Sequence, residues 1–444
     1  MNIYFVSLGC PRNLVDTETM LGQVLEAGHR VCADLSAADC VVVNTCAFVR
    51  PAIDESIDTI LEMGRWKEHN QGRRLIVTGC LPQRYGQSLA ESLPEVDVFL
   101  GTGAFDQIER FVGVSGIGEK RVFLPPIEKT SRSARELPRL QTTAPHTAYL
   151  KIAEGCSSHC TYCVIPELRG PQRSRPMKAI LSEAEWLVHG GAKELILVAQ
   201  NTTAYGQDLP QGEDRIHTLL DRLAQIPGLI WIRLLYGHPG FVTEPLVESM
   251  VAHPNVCPYL DIPFQHASKR ILKRMGRPCD PAYNLALVKR LRDKIPGVAL
   301  RTTVITGFPG ETDADFETLV TFVEEVRFDH MGVFMYSDDT DLPSNKLPGH
   351  VDDQVKQTRF DYLMERQARI SRENNQQYVG KTVRVLVEEP VPNNRPVVAG
   401  RMATQAPGID GMVFIENGTA PAAGTFVNVC ITEAHDYDLT GYIP

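Results

Sequence analysis

A chain of 444 residues is long enough for about three domains, each with a core of its own. Its 43% hydrophobic and 22% charged residues exclude a disordered, fibrous or membrane protein, since no apolar run approaches the roughly 18 to 20 residues of a spanning helix. The net charge of −9 argues against affinity built on neutralising many phosphates, and the opening MNIYFVSLGC has neither basic flank nor small-residue cleavage site, so a cytoplasmic protein without membrane contact is expected.

From residue 1 to about 115, apolar β-rich runs alternate with helical patterns: Ile3 to Leu8, a helix ending near Gly28, Cys40 to Val43, a helix from Pro51, and Leu75 to Val77. This rhythm predicts an α/β domain on a parallel sheet. Residues 116–145 are rich in Pro, Ser, Thr and Arg and read as a linker. A second βα series, over 146–375, has candidate strands at Ala148 to Ile152, Glu194 to Val198, Ile230 to Leu234, Tyr259 to Ile262, Ala299 to Val304 and Met331 to Phe334. Such a series predicts an open, partial (β/α)6 barrel with its functional loops at the strand C-termini, closed by a polar helix of about Asp353 to Asn375. Residues 376–444 hold short strand-like runs, Thr382 to Val387, Met412 to Ile415 and Phe426 to Ile431, and read as a small antiparallel β-barrel.

Eleven cysteines in a chain without an export signal point to metal or catalytic thiols. Cys156, Cys160 and Cys163 stand in EGCSSHCTYCVIPELRG, directly after the first strand of the second series. Three thiolates on one short loop suit a 4Fe-4S cluster in which each takes one iron and the fourth iron stays open. An open iron can chelate the amino and carboxylate groups of a methionine moiety, so that one electron breaks the adjacent sulfonium C–S bond and releases a 5′-deoxyadenosyl radical. A structural zinc site is the alternative; it needs a fourth ligand, and His159, beside Cys160, would reach the same ion only with strain. Tyr162 is either ordinary packing or a residue that lies against an adenine.

Cys10, Cys46 and Cys80 end IYFVSLGC, CVVVNTC and LIVTGC, so each closes an apolar strand, one strand-helix unit apart. The strand C-termini of a parallel sheet open on one edge, and the three cysteines therefore converge there. Singly, each would be a small buried hydrophobe; repeated three times, the placement favours a second three-thiolate cluster. Cys32, Cys40, Cys257, Cys279 and Cys430 lack the pattern and are assigned to structure.

RTTVITGFPGETDADF places Gly307, Gly310 and Glu311 between a strand and a helix, where glycine lets the backbone approach a ligand and the helix offers free N–H groups. A tight turn with a capped helix has the same pattern. Gln200 and Asn201, at the end of another strand, point to the same mouth. Arg301 could pair with a ligand carboxylate or form a structural salt bridge, and Gln265 and His266 in LDIPFQHAS could serve a ligand or a structural hydrogen bond.

Over almost its full length the chain resembles the radical-SAM methylthiotransferase family. The resemblance rests on SLGCPRNLVD, VVVNTCAF and IVTGCL in the first domain and on EGCSSHCTYCVIPELRGPQRSRP, LDIPFQHAS and TGFPGET in the second. It implies an N-terminal three-cysteine domain, a radical-SAM partial barrel and a C-terminal TRAM domain. It also implies that Cys156, Cys160 and Cys163 hold the cluster that binds S-adenosylmethionine (SAM) and that Cys10, Cys46 and Cys80 hold an auxiliary 4Fe-4S cluster; Tyr162, Gln200, Arg301, Gly307 and Gly310 are further candidate SAM contacts by their own positions in the sequence.

Within that family, SLGCPRNLVD, EGC and QNTTAYG look like the branch that methylthiolates the β-carbon of an aspartate in small ribosomal subunit protein 12, free or in the 30S subunit. The branch that modifies adenosine in transfer RNA is the alternative. One SAM would supply the methyl group and another the radical, with an electron donor such as flavodoxin or ferredoxin and a sulfur donor as further partners. Residues 376–444 carry four basic and seven acidic residues, a balance that suits docking a basic ribosomal protein better than gripping RNA.

Overall fold

The Cys40–Thr45 strand, CVVVNT, is buried at every position, as a run of β-branched residues covered on both sheet faces must be. In the computed structural model, which describes all residues except 71, 114–120, 128–137, 211–213, 278–280, 391–396 and 417–420, this strand lies inside a six-stranded parallel sheet. The order from one edge is Arg30–Val31, Asn2–Ser7, Cys40–Thr45, Arg74–Gly79, Val98–Leu100 and Arg121–Phe123. The last of these corrects the sequence reading, which placed it in a linker: Arg121–Phe123 pairs in parallel with Val98–Leu100 and forms the sheet edge. Three residues are too few for a period-2 pattern to register.

Cys10, Cys46 and Cys80 each stand where a strand gives way to a helix. Cys10 caps the Pro11–Glu26 helix, which begins on a proline preset for helical φ, and Cys80 opens the Cys80–Ser92 helix. The turn before Cys80 needs glycine: Gly79 has φ +98°, and a Cβ there would lie 2.4 Å from Asn44 Oδ1 and 2.6 Å from the Thr45 carbonyl oxygen.

The second sheet has six parallel strands in the order His330–Met335, Ala299–Thr306, Val256–Asp261, Trp231–Leu234, Glu194–Val198 and Thr147–Lys151, and it does not close on itself. This is the open barrel expected from the sequence. Strand alternation divides its faces: Leu195 and Leu197 pack with the surrounding helices, whereas Ile196 and Val198 face inward with Trp231 and Tyr259.

The C-terminal unit is a closed five-stranded barrel, Thr382–Pro390, Val397–Arg401, Val413–Glu416, Leu439–Tyr442 and Phe426–Ala434 in ring order. It is antiparallel except that Val413–Glu416 and Leu439–Tyr442 run parallel. A ring with an odd number of strands cannot alternate direction all the way round, so one parallel pair is unavoidable.

The barrel plugs the inner face of the second sheet. Leu386 and Ala406 join the inward cluster, while Arg401 pairs with Glu194 at 2.6 Å and with Glu388 at 2.5 Å. Arg233 also pairs with Glu194, at 2.8 Å, and donates to the Ala403 carbonyl at 2.7 Å. Burial alone would raise the pKa of Glu194, but Arg401 and Arg233 outweigh it and hold the carboxyl at about 2.

Glu194→Gln would leave both guanidiniums against a neutral amide, and we expect a loss of about 3–5 kcal/mol in urea unfolding. Because the folded-state pKa lies below the ordinary 4.5, the Glu194 contribution is complete above that pH and is lost as pH falls toward 2. A stability profile taken down that range should therefore fall less steeply in Glu194→Gln than in the unsubstituted chain.

Candidate active site

Cys10, Cys46 and Cys80 come together at the C-terminal edge of the first sheet. A Cβ built on Gly9 would lie 3.3 Å from Cys46 Sγ, so the turn carrying Cys10 rests on Cys46. Cys80 Sγ lies 3.9 Å from the Oδ1 of Asn13, in the first turn of the helix that Cys10 caps. Two arginines donate to the sulfurs: Arg12 Nε to Cys10 at 3.4 Å and Arg169 Nη2 to Cys80 at 3.6 Å.

The three thiols differ in acidity. Burial pushes Cys10 up, but Arg12, Arg169 and the Asn13 backbone N–H together bring it below its ordinary value. Burial pushes Cys46 up to about 11, with Cys80 and Cys10 adding to the rise. Burial also raises Cys80, against the pull of Arg169.

Cys156, Cys160 and Cys163 sit half-buried on the loop after the Thr147–Lys151 strand and a short Ala153–Glu154 extension. Gly155 starts the loop at φ +79°, where a Cβ would lie 2.2 Å from the Pro171 carbonyl oxygen. The loop is pinned by Cys156 N–H to the Gly170 carbonyl at 3.0 Å, Thr161 N–H to Met275 at 3.0 Å and Cys163 N–H to Cys160 at 3.1 Å. Burial pushes the Cys163 thiol up to about 12, and Cys160 and Cys156 raise it further. Tyr162 points into a cluster with Ile271, Leu272, Phe308 and Tyr336, its hydroxyl accepting from Arg277 Nη1 at 3.1 Å. His159 is exposed.

Between the two triads lies a charged network that the sequence reading missed. Lys151 pairs with Asp16 and, at 2.9 Å, with Glu154. Arg169 pairs with Asp16 at 2.8 Å and Glu154 at 3.3 Å, and donates to Asn13 Oδ1. Burial works against the ionised form of Glu154, but Arg169 and Lys151 hold it well below the usual carboxylate range. A signal for this network exists in the sequence: Lys151 and Glu154 interrupt the buried run that leads into Cys156, where apolar residues are the rule.

The other candidates are placed as follows. Gln200 Nε2 donates to Glu154 Oε1 at 2.7 Å, so Gln200 joins the network, and its own Oε1 is buried without a hydrogen-bond partner among the described residues. Gly307 and Gly310 have φ of +71° and +85°, but the Gly307 N–H goes to Glu311 Oε2 at 2.9 Å and that of Gly310 to the Gly349 carbonyl at 2.6 Å. Arg301 pairs with Asp261 at 3.1 Å and with Asp410 of the C-terminal barrel at 3.4 Å. His266 Nδ1 accepts from the N–H groups of Ala267 and Ser268, each at 2.9 Å, which leaves the ring proton on Nε2, 3.4 Å from Glu311 Oε2. Cys40 and Cys257 are buried, and burial raises each thiol to about 12; Cys279 lies outside the described residues.

Family models match the chain in three consecutive stretches. They are described as Uncharacterized protein family UPF0004 over residues 2–101, Radical SAM superfamily over 150–323 and TRAM domain over 379–443. Among curated relatives, the ribosomal protein uS12 methylthiotransferase RimO of Geobacter sulfurreducens is 46% identical over 99% of this chain and 98% of its own length. RimO of an Anaeromyxobacter species is 47% identical over 99% of this chain and 93% of its own.

The chain belongs to the RimO family of methylthiotransferases.

RimO relatives match across all three domains, so the whole architecture belongs to the family. Among solved structures, the radical SAM methyltransferase TsrM of Kitasatospora setae shares the fold at a TM-score of 0.56 and 14% identity, covering 75% of this chain and 72% of its own.

The acidity order of the first triad is testable on the reduced, metal-free chain. Cys10 should be alkylated by iodoacetamide at least about tenfold faster than Cys46 near pH 8, and faster than Cys80, since one pKa unit is a tenfold change in thiolate. Adduct mapping by mass spectrometry across rising pH checks the order.

Proposed function

We propose that this chain is a ribosomal protein uS12 methylthiotransferase that inserts a methylthio group at the β-carbon of an aspartate, with two 4Fe-4S clusters and SAM. The observation that carries the reading is the meeting of two three-cysteine sets across one domain interface, joined by Arg12, Arg169 and Glu154. Among the described residues, no three His, Cys, Asp or Glu close on a point as ligands of one metal ion would. Three thiols that each take one iron of a cluster leave the fourth iron open, whereas a structural zinc site is closed by four ligands, so three-thiol sets suit clusters better than zinc.

When bound, the clusters and SAM supply a carbon radical able to take hydrogen from an unreactive C–H bond, together with the sulfur and methyl to be transferred. Cys156, Cys160 and Cys163 would hold the SAM-binding cluster, and Cys10, Cys46 and Cys80 the auxiliary one. Arg12 and Arg169 would offset the negative charge gathered by the auxiliary thiolates, as hydrogen bonds to cluster sulfurs do. Tyr162, with Phe308 edge-on at 6.5 Å, would wall the SAM side from water. Gln200, held by Glu154, would offer its free carbonyl to a donor on the bound ligand.

The C-terminal barrel supports a basic protein partner. Its Arg401 is consumed inside the molecule by Glu194 and Glu388, while Glu416, Glu433 and Asp436 are exposed. An acidic surface attracts a basic ribosomal protein and repels phosphate. An electron donor of the flavodoxin or ferredoxin kind and a sulfur donor complete the proposed partners, in the cytoplasm; no helix among the described residues is long and apolar enough to cross a membrane.

In anaerobically reconstituted protein we expect about eight irons per chain. Cys156→Ala should abolish formation of 5′-deoxyadenosine, whereas Cys10→Ala should retain it and lose methylthio transfer. Mass analysis of uS12 and transfer RNA from a strain lacking the enzyme should show the modification missing from uS12 alone; loss from transfer RNA instead would overturn the substrate assignment.

A further inference from the structure

Two arginines cross the domain interface in opposite directions. Arg12, from the first domain, holds Cys10 Sγ through Nε, then extends into the second domain, where Nη1 donates to the Ala199 carbonyl at 3.0 Å and the guanidinium stacks 4.5 Å from the centre of the Tyr236 ring. Arg169, only six residues beyond Cys163, extends the other way to Asn13, Asp16 and Cys80 Sγ. The platform beneath Arg12 is itself held in an unfavourable shape: Tyr236 has φ +62°, fixed by its N–H to Asp261 Oδ2 at 3.1 Å and by the Thr202 N–H to its carbonyl at 3.1 Å. A bulky residue keeps a left-handed backbone only where its surroundings over-determine it, and such strain collects at functional sites.

We propose that Arg12 is a positioning residue that sets the distance and orientation of the auxiliary cluster relative to the SAM-binding cluster, by joining Cys10 to the Ala199–Tyr236 shelf of the second domain. This rests on the two-cluster reading above. The guanidinium suits the task because its planar fork donates along Nε and Nη1 in fixed directions while its face lies on an aromatic ring; lysine offers a point charge with neither property. Arg169 makes the reciprocal link, but removing it would strand Asp16 and Glu154 in a buried site, so a lost fold would obscure the result. Among the described residues Arg12 makes no such ion pair with a carboxylate, which leaves it the better residue to substitute.

The consequence is coupling between the two halves of the reaction. With the clusters out of place, SAM is still cleaved but the substrate carbon and the sulfur no longer meet, and misplacement by about 1 Å can cost two orders of magnitude in rate. The test uses reconstituted Arg12→Gln and Tyr236→Leu enzymes, each compared with the unsubstituted enzyme for 5′-deoxyadenosine formed per methylthio product and for the electron paramagnetic resonance of the reduced clusters. The signal that does not respond to SAM reports the auxiliary cluster.

In Arg12→Gln we expect the ratio of 5′-deoxyadenosine to product to rise at least about tenfold, and the SAM-insensitive signal to shift with a lower midpoint potential, because the positive charge beside a cluster thiolate and the fork that joins it to the second domain are gone. Tyr236→Leu, which removes the ring beneath the guanidinium and leaves all six cysteines unsubstituted, should move both readouts the same way, by about threefold in the ratio. If Arg12→Gln fails to hold iron, Tyr236→Leu decides. An unchanged ratio and an unchanged signal in the deciding variant overturn the proposal. Failure of the two-cluster reading is distinguishable, since the unsubstituted enzyme would then carry about four irons rather than about eight.

Discussion

The arrangement depends on a buried ionic joint between domains. Asp16 comes from the helix after Cys10, Lys151 and Glu154 from the strands before Cys156, and Arg169 from the helix after Cys163. Taking four charges out of water is expensive, and hydrophobic residues of equal volume would serve stability as well or better. What charges supply instead is register. Apolar surfaces slide, whereas two carboxylates and two cations whose lone pairs and protons are matched allow one alignment, and here that alignment decides where two cysteine sets stand relative to each other.

The same joint explains why both sets are reached by parallel sheets. A parallel sheet presents all its strand ends on one edge, so a single docking of edge against edge brings two groups of loops face to face. The Pro11–Glu26 helix, carrying Asn13 and Asp16, packs on the Thr147–Lys151 strand and so covers one open edge of the partial barrel. Local turn chemistry makes the docking possible. Gly79 and Gly155 both take left-handed φ directly before a cysteine, so in each case the chain leaves the strand end sharply enough to place a thiol on the edge.

Much of this was legible in the sequence because it is periodic or local. The six strands of the second domain are largely apolar runs separated by helix-length stretches, and the candidate triads announce themselves by position at strand ends. What the sequence did not disclose is pairing at a distance. Arg169 is an ordinary cation in PELRG until the fold sets it against Cys80, and Arg301, which could have met a ligand, is drawn into ion pairs with Asp261 and Asp410. Gly307 and Gly310 have the expected backbone, yet their N–H groups are taken by Glu311 and Gly349. Arg121–Phe123 was hidden for the opposite reason: three residues carry no period, and only an existing edge at Val98–Leu100 made them a strand.

A partial barrel leaves two unpaired edges and an open interior, each a liability for an isolated domain. In this chain its neighbours close all three. The inner face receives the C-terminal barrel through Arg401 and Glu194, the Thr147–Lys151 edge receives the first domain, and the His330–Met335 edge is backed by the Asp353–Gln376 helix. Beyond that last edge, Arg84 of the first domain holds Asp341 at 2.7 Å, Asp339 at 3.4 Å and the Ala47 carbonyl at 2.8 Å, beside Cys46. The first domain is therefore fastened near both edges of the open sheet and spans its gap. Its thiol-bearing edge is held over the barrel mouth from two sides, which a single hinge-like contact could not do, and the placing of one cysteine set against the other is a product of the assembled chain rather than of any one domain.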